Sequence, residues 1–105
     1  MKKVNILGTE YSFIHDDSVI EQGHDGECRE YSKEIRIRKL TSMLCGDDTL
    51  EDKKKRYDEV ARHEITHAFF AEAGLDDYCE DEVLVQWIAK QFPKMLDVMR
   101  NLDCI

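Results

Sequence analysis

Leu50-Glu51-Asp52-Lys53-Lys54-Lys55-Arg56-Tyr57-Asp58-Glu59-Val60-Ala61-Arg62-His63-Glu64-Ile65-Thr66-His67-Ala68-Phe69-Phe70-Ala71-Glu72-Ala73 contains neither glycine nor proline. Leu50, Tyr57, Val60, Ala61, Ile65, Ala68 and Phe69 recur along it at helical spacing, which predicts one long amphipathic helix. Its first part, Glu51 to Arg56, is charged and reads as solvated. Gly46-Asp47-Asp48-Thr49 marks a break before the helix. Thr49, with Asp52 three residues later, resembles a capping box with aspartate in place of glutamate. Gly74 is the natural stop.

Upstream, Lys3 to Leu7 and Glu10 to His15 alternate with period two through Val4, Ile6, Tyr11 and Phe13, which predicts a hairpin around Gly8-Thr9. Asp16 to Glu27, with its acids, two glycines and His24, reads as a loop. Tyr31 to Lys39 alternates again and reads as a third strand, at or near an edge because of its charge. Downstream, Leu75 to Cys79 is a connector, and Glu80-Asp81-Glu82 puts negative charge at the start of a second helix, where the dipole favours it. Val83, Leu84, Trp87, Ile88 and Phe92 give that helix an apolar face, with Trp87 as a core anchor. Pro93 ends or kinks it, and Lys94 to Leu102 forms a final short helix. The expected architecture is one α+β domain over residues 1–105. A small, mostly antiparallel three-stranded sheet packs on the long helix, and the second helix lies alongside.

Within the long helix stands His63-Glu64-Ile65-Thr66-His67, an H-E-x-x-H sequence. Residues four apart on a helix are offset by only about 40° and rise about 6 Å, so two imidazoles at that spacing can share one metal ion. Neutral imidazole suits zinc, and catalytic zinc sites take three protein ligands and keep one position open. Glu64 is turned about 100° from His63, beside that open position, where a carboxylate can accept a proton during attack on a carbonyl and later return it to the departing amine. Chance also places histidines at i and i+4 on helix surfaces; here the pair has the apolar neighbours Ile65, Ala68, Phe69 and Phe70. Glu72 is a poor third ligand, because nine residues beyond His63 is about 900° of rotation, the opposite helix face. Glu80, Asp81, Glu82 and Cys79 at the start of the next helix compete for that role, with His15 and His24 as further options.

His63-Glu64-Ile65-Thr66-His67 followed by Asp81-Glu82-Val83-Leu84-Val85-Gln86 resembles the gluzincin class of zinc peptidases. Most of the chain, from Val4-Asn5-Ile6-Leu7-Gly8 through Val85-Gln86-Trp87-Ile88, is similar to small phage and bacterial H-E-x-x-H proteins of unassigned substrate. The resemblance implies Zn2+ held by His63, His67 and Glu82, with Glu64 as general base and later acid. It also implies a peptide or protein substrate laid along a sheet edge, for which the strand Glu34 to Arg38 is the candidate. Two departures stand out. Gln86 occupies the place of an acid that would orient a ligating histidine. No His or Tyr follows Glu82 to stabilise an oxyanion; Tyr78 is the candidate for that role, with Tyr31 and His24 as substitutes. The competing reading is a non-catalytic, zinc-stabilised protein-binding module, whose metal site would be closed by a fourth protein ligand.

Composition excludes other classes. The formal net charge of −8 repels phosphate backbones and argues against nucleic-acid binding. No apolar run approaches the ~20 residues that span a membrane. The N-terminus has lysines but no apolar stretch after them, unlike a secretory signal. Cys28, Cys45, Cys79 and Cys104 form no C-x-x-C pair and read as free thiols of a cytoplasmic protein.

Overall fold

A computed structural model describes residues 1–44 and 49–105. The break expected at Gly46-Asp47-Asp48, and Cys45, lie outside the described residues. The fold is α+β. Strands β1 (Lys2–Ile6) and β2 (Thr9–His15) form the expected antiparallel hairpin, from Lys2 opposite Phe13 to Ile6 opposite Thr9. Leu7 and Gly8 both take positive φ, 51° and 93°, the backbone a two-residue hairpin turn needs.

The sheet itself corrects the three-stranded expectation. It has four strands in the order β1-β2-β4-β3, with β3 at Gly26–Arg29 and β4 at Glu34–Ile37. It is mixed, because β4 runs parallel to β2 and antiparallel to β3. Strand β3 falls partly in the stretch read as a loop. Gly-Glu-Cys-Arg has no apolar alternation, and its pairing with β4 is carried by the backbone; its charges pair within each strand, Glu27 with Arg29 and Glu34 with Arg36. The same insertion makes β4 an interior strand, with Ile35 and Ile37 fully buried. The segment Glu34 to Arg38 therefore presents no free edge, and β3 is the edge strand on that side.

Helix α1 (Leu50–Glu72) is the predicted long helix. The Thr49 side chain accepts from the Asp52 amide at 3.1 Å. The far end closes at Gly74, φ +73°, with the Gly74 amide donating to the Ala71 carbonyl and the Leu75 amide to that of Phe70. Val60 and Ala68 on α1 pack with Ile6, Tyr11, Ile35, Ile37 and Met43, and Tyr57, Ala61 and Ile65 flank them. Glu72 ties the helix end to the sheet, accepting from Thr9 Oγ1 (2.8 Å), Tyr11 Oη (2.7 Å) and Lys33 Nζ (2.7 Å).

A short helix α2 (Asp76–Cys79) lies in the connector, and α3 spans Glu82–Asn101 without a break. Asp81 caps α3, accepting from the Leu84 amide at 3.0 Å. Pro93 neither ends the helix nor separates a last one. Proline has no N–H for the carbonyl four residues back. That carbonyl, of Ala89, instead accepts from Arg62 Nε at 2.6 Å, so Arg62 docks α3 rather than facing solvent. The buried face of α3 is Val85 and Ala89; Trp87 is 54% exposed and anchors no core. No helix among the described residues is long and apolar enough to cross a membrane.

Candidate metal centre

Val60, Glu64 and Ala68 are the buried residues of α1, so Glu64 occupies a position that the fold otherwise fills with apolar side chains. It is 7% exposed, and among the described residues its carboxylate has no hydrogen-bond or ion-pair partner. Burial, reinforced by Glu82 and Glu27, pushes it up to about 8. Strand β3 passes close over it. A methyl group at Gly26 would lie 2.8 Å from Val60 Cγ1 and 3.1 Å from Glu64 Cγ, so only glycine lets the strand sit this low.

His63 and His67, one turn apart, turn their Nε2 atoms together, 3.2 Å from each other. Glu82 at the start of α3 meets both, with Oε2 at 2.9 Å from His63 Nε2 and Oε1 at 3.1 Å from His67 Nε2. Behind His63, Nδ1 lies 2.7 Å from Gln86 Oε1. The other end of that amide donates to Glu59, which fixes its orientation. An amide oxygen only accepts, so His63 carries a proton on Nδ1, and in the neutral ring the Nε2 lone pair faces Glu82. A lone-pair nitrogen of His63 facing a carboxylate is repulsive unless a proton or a cation lies between them.

The chemistry of this donor set fits Zn2+. Bonds of about 2.0–2.2 Å in a tetrahedron place neighbouring ligand atoms about 3.3 Å apart, close to the observed separations. His63, His67 and Glu82 are a group that could hold a metal ion, with ligand atoms all within 4.8 Å of one another. The other candidates are placed elsewhere. Asp81 is spent as the α3 cap. Cys79 sits behind His67, its Sγ 3.8 Å from Nδ1 and donating to the His67 carbonyl at 3.3 Å. His15 pairs with Tyr57 Oη at 2.6 Å. Glu80 and His24 line the cleft without joining the group.

That cleft, about 700 Å³, is bounded by β3, the β3–β4 turn, α1 and α2, and a smaller recess of about 240 Å³ adjoins it at Gly26, His63 and Glu64. Tyr78 does not line it; the ring packs on Phe70, centroids 5.9 Å apart, beside a separate hollow. Cys28 does line it, but burial and nearby Glu64 push its thiol up to about 12, which denies it the thiolate a nucleophile needs. Sequence reasoning missed Glu59, Gly26 and the Asp25 cluster described below. Glu59 alone carried a signal, being one helical turn before His63. No family model matches the chain, and comparison with curated proteins and with solved structures finds none similar to it.

Proposed function

We propose that the chain is a zinc-dependent peptidase, with His63, His67 and Glu82 as the metal ligands and Glu64 as the proton carrier. The observation that supports this is the convergence of His63 Nε2, His67 Nε2 and the Glu82 carboxylate beside a buried, unpartnered Glu64 in an open cleft. When bound, Zn2+ supplies Lewis acidity toward a carbonyl and lowers the pKa of water. Burial raises Glu64 in the metal-free site, and a cation on the triad would draw it back toward the carboxylate, which would then take a proton from the attacking water and hand it to the leaving amine. Gln86, fixed by Glu59, keeps His63 in the ligating tautomer. The exposed edge of β3, rather than Glu34 to Arg38, is the strand along which a peptide would align.

The test is zinc content and turnover measured together on untagged protein. One zinc per chain is expected, with hydrolysis of a mixed peptide library abolished in Glu64→Gln while zinc is retained. Protein without zinc, or wild-type protein with zinc and no turnover, would overturn the proposal. The zinc-stabilised binding module is the second reading, and the position of Tyr78 outside the cleft favours it. Against it, no fourth protein ligand joins the three among the described residues.

A further inference from the structure

We infer that two copies of the chain pair antiparallel through α3, along an apolar seam that the fold leaves uncovered. Leu84, Ile88, Gln91, Met95, Val98 and Leu102 follow one another at alternating spacings of four and three residues. That 3.5-residue repeat is the a/d pattern of a coiled coil, and its natural partner is a helix carrying the same repeat. The seam is distinct from the face that α3 turns to its own domain. Val85 and Ala89 are the buried residues of α3, so about three further turns run on with none. A helical stretch of about 12 residues is marginal in water without packing.

The uncovered area matches a dimer interface. Trp87, Phe92, Met95, Val98 and Leu102, on or beside the seam, are between 40% and 73% exposed. At about 200 Å² for a large side chain in the open, they leave on the order of 500 Å² of apolar surface to solvent. Half-buried Leu84, Ile88 and Met99 extend it. A patch of that size is in the upper range for a monomer, and with its polar flanks it approaches the ~800 Å² that each partner gives to a standard interface.

Charge selects a second copy as the occupant. From Val83 to Leu102 there are Lys90, Lys94 and Arg100 against one acid, Asp97, whereas the chain as a whole carries a net −8. Copies of so acidic a protein repel one another over most of their surface, and α3 is where they approach at least cost. The antiparallel sense also keeps the two acidic bodies at opposite ends of the pair, because each packs on the N-terminal half of its α3. With the twofold axis beside Pro93, Leu84 meets the partner's Leu102, Ile88 the partner's Val98 and Gln91 the partner's Met95. The two Gln91 side chains then lie about 6 Å apart along the axis, within reach of each other, and one polar residue in a seam fixes its register. The metal cleft stays open. Gln86 is turned about 200° from Leu84, toward His63, and no seam residue lines the cleft.

The test is the mass of the untagged chain by sedimentation equilibrium at about 50 μM, above the micromolar Kd of a weak standard-size interface. Twice the chain mass is expected. Met95→Glu and Val98→Glu, both at exposed positions, should each give the single-chain mass with unchanged circular dichroism. Trp87 is the one tryptophan, so its emission should move to the red on dilution of the wild type and stay constant in Val98→Glu. In a Cys104→Ser background, oxidation should link copies of Leu84→Cys combined with Leu102→Cys, and leave Leu84→Cys alone unlinked. A wild-type monomer at that concentration, dimers that survive both glutamate substitutions, or covalent dimers from Leu84→Cys alone would each overturn the inference. None of these readouts depends on zinc or turnover, so the peptidase reading stands or falls separately.

Discussion

Gln86 accepts a hydrogen bond from His63 Nδ1 at 2.7 Å, and Glu59 holds the other end of the same amide. In the proposed zinc site this pair would stand in for the single carboxylate that often supports a ligating histidine, with the charge one residue further out. Gln86→Ala should therefore lower zinc affinity by about 10–100-fold, the range seen when such supporting groups are lost. Glu59→Gln should cost less, because an amide can still pair with Gln86. Competition against a chelating dye, with circular dichroism to check the fold, measures both. Unchanged zinc affinity in Gln86→Ala would show that the amide sets nothing at the metal.

Gly26 offers a way to separate the base from the ligands. Its backbone φ is not positive, so glycine is required there by space alone. In Gly26→Ala the new methyl meets Val60 and Glu64, and neither His63 nor His67 is among its nearest neighbours. Overpacking of this kind costs about 1–3 kcal/mol. The expected result is a lower Tm and strongly reduced turnover with zinc stoichiometry intact. Loss of zinc in parallel with activity would mean that the whole helix had shifted.

Much of this was legible in the residues, and the failures share a cause. Thr49, the apolar stripe and Gly74 specify α1 locally, so its bounds and its H-E-x-x-H could be read directly. Glu82 was one of several acids at a helix start, and only packing shows it turned back onto both histidines while Asp81 caps the helix. Strand β3 owes its existence to β4, not to its own four side chains, and β4 becomes interior only once β3 is in place. Pro93 is tolerated because Arg62, distant in sequence, satisfies the Ala89 carbonyl. Trp87 follows the apolar period of α3 but not the face that α3 buries, which is Val85 and Ala89. In each case the deciding partner is a residue far along the chain.

Asp25 is the hub of a buried cluster that sets the approach to β3. It is 4% exposed and accepts from Arg56 Nε at 2.8 Å and from the Leu44 amide at 3.2 Å, with Arg38 Nε 3.3 Å away. Arg38 is 2% exposed and also donates to the His24 carbonyl. Removing one partner of a buried ion pair strands the other, at a cost of about 3–5 kcal/mol. Asp25→Ala should show that loss in urea unfolding, whereas Arg56→Ala, which removes a more exposed partner, should cost less. Similar small losses for both would mean that water replaces Asp25.

Glu72 should make folding sensitive to acid. Hydrogen bonds from Lys33, Tyr11 and Thr9 hold its carboxyl down at about 2. A depressed folded-state value means that the unfolded chain binds the proton first as pH falls, so the stabilisation is complete above the ordinary carboxylate range of about 4.5. It is then lost progressively as pH drops from there through about 2. Glu72→Gln keeps a hydrogen-bonding group that does not titrate. The variant should be less stable than wild type at pH 6, and the gap should close as pH falls through that window. Thermal unfolding at half-unit pH steps gives both curves. Parallel curves across the window would show that Glu72 titrates alike in the folded and unfolded chains, and that some other carboxylate sets the acid limit.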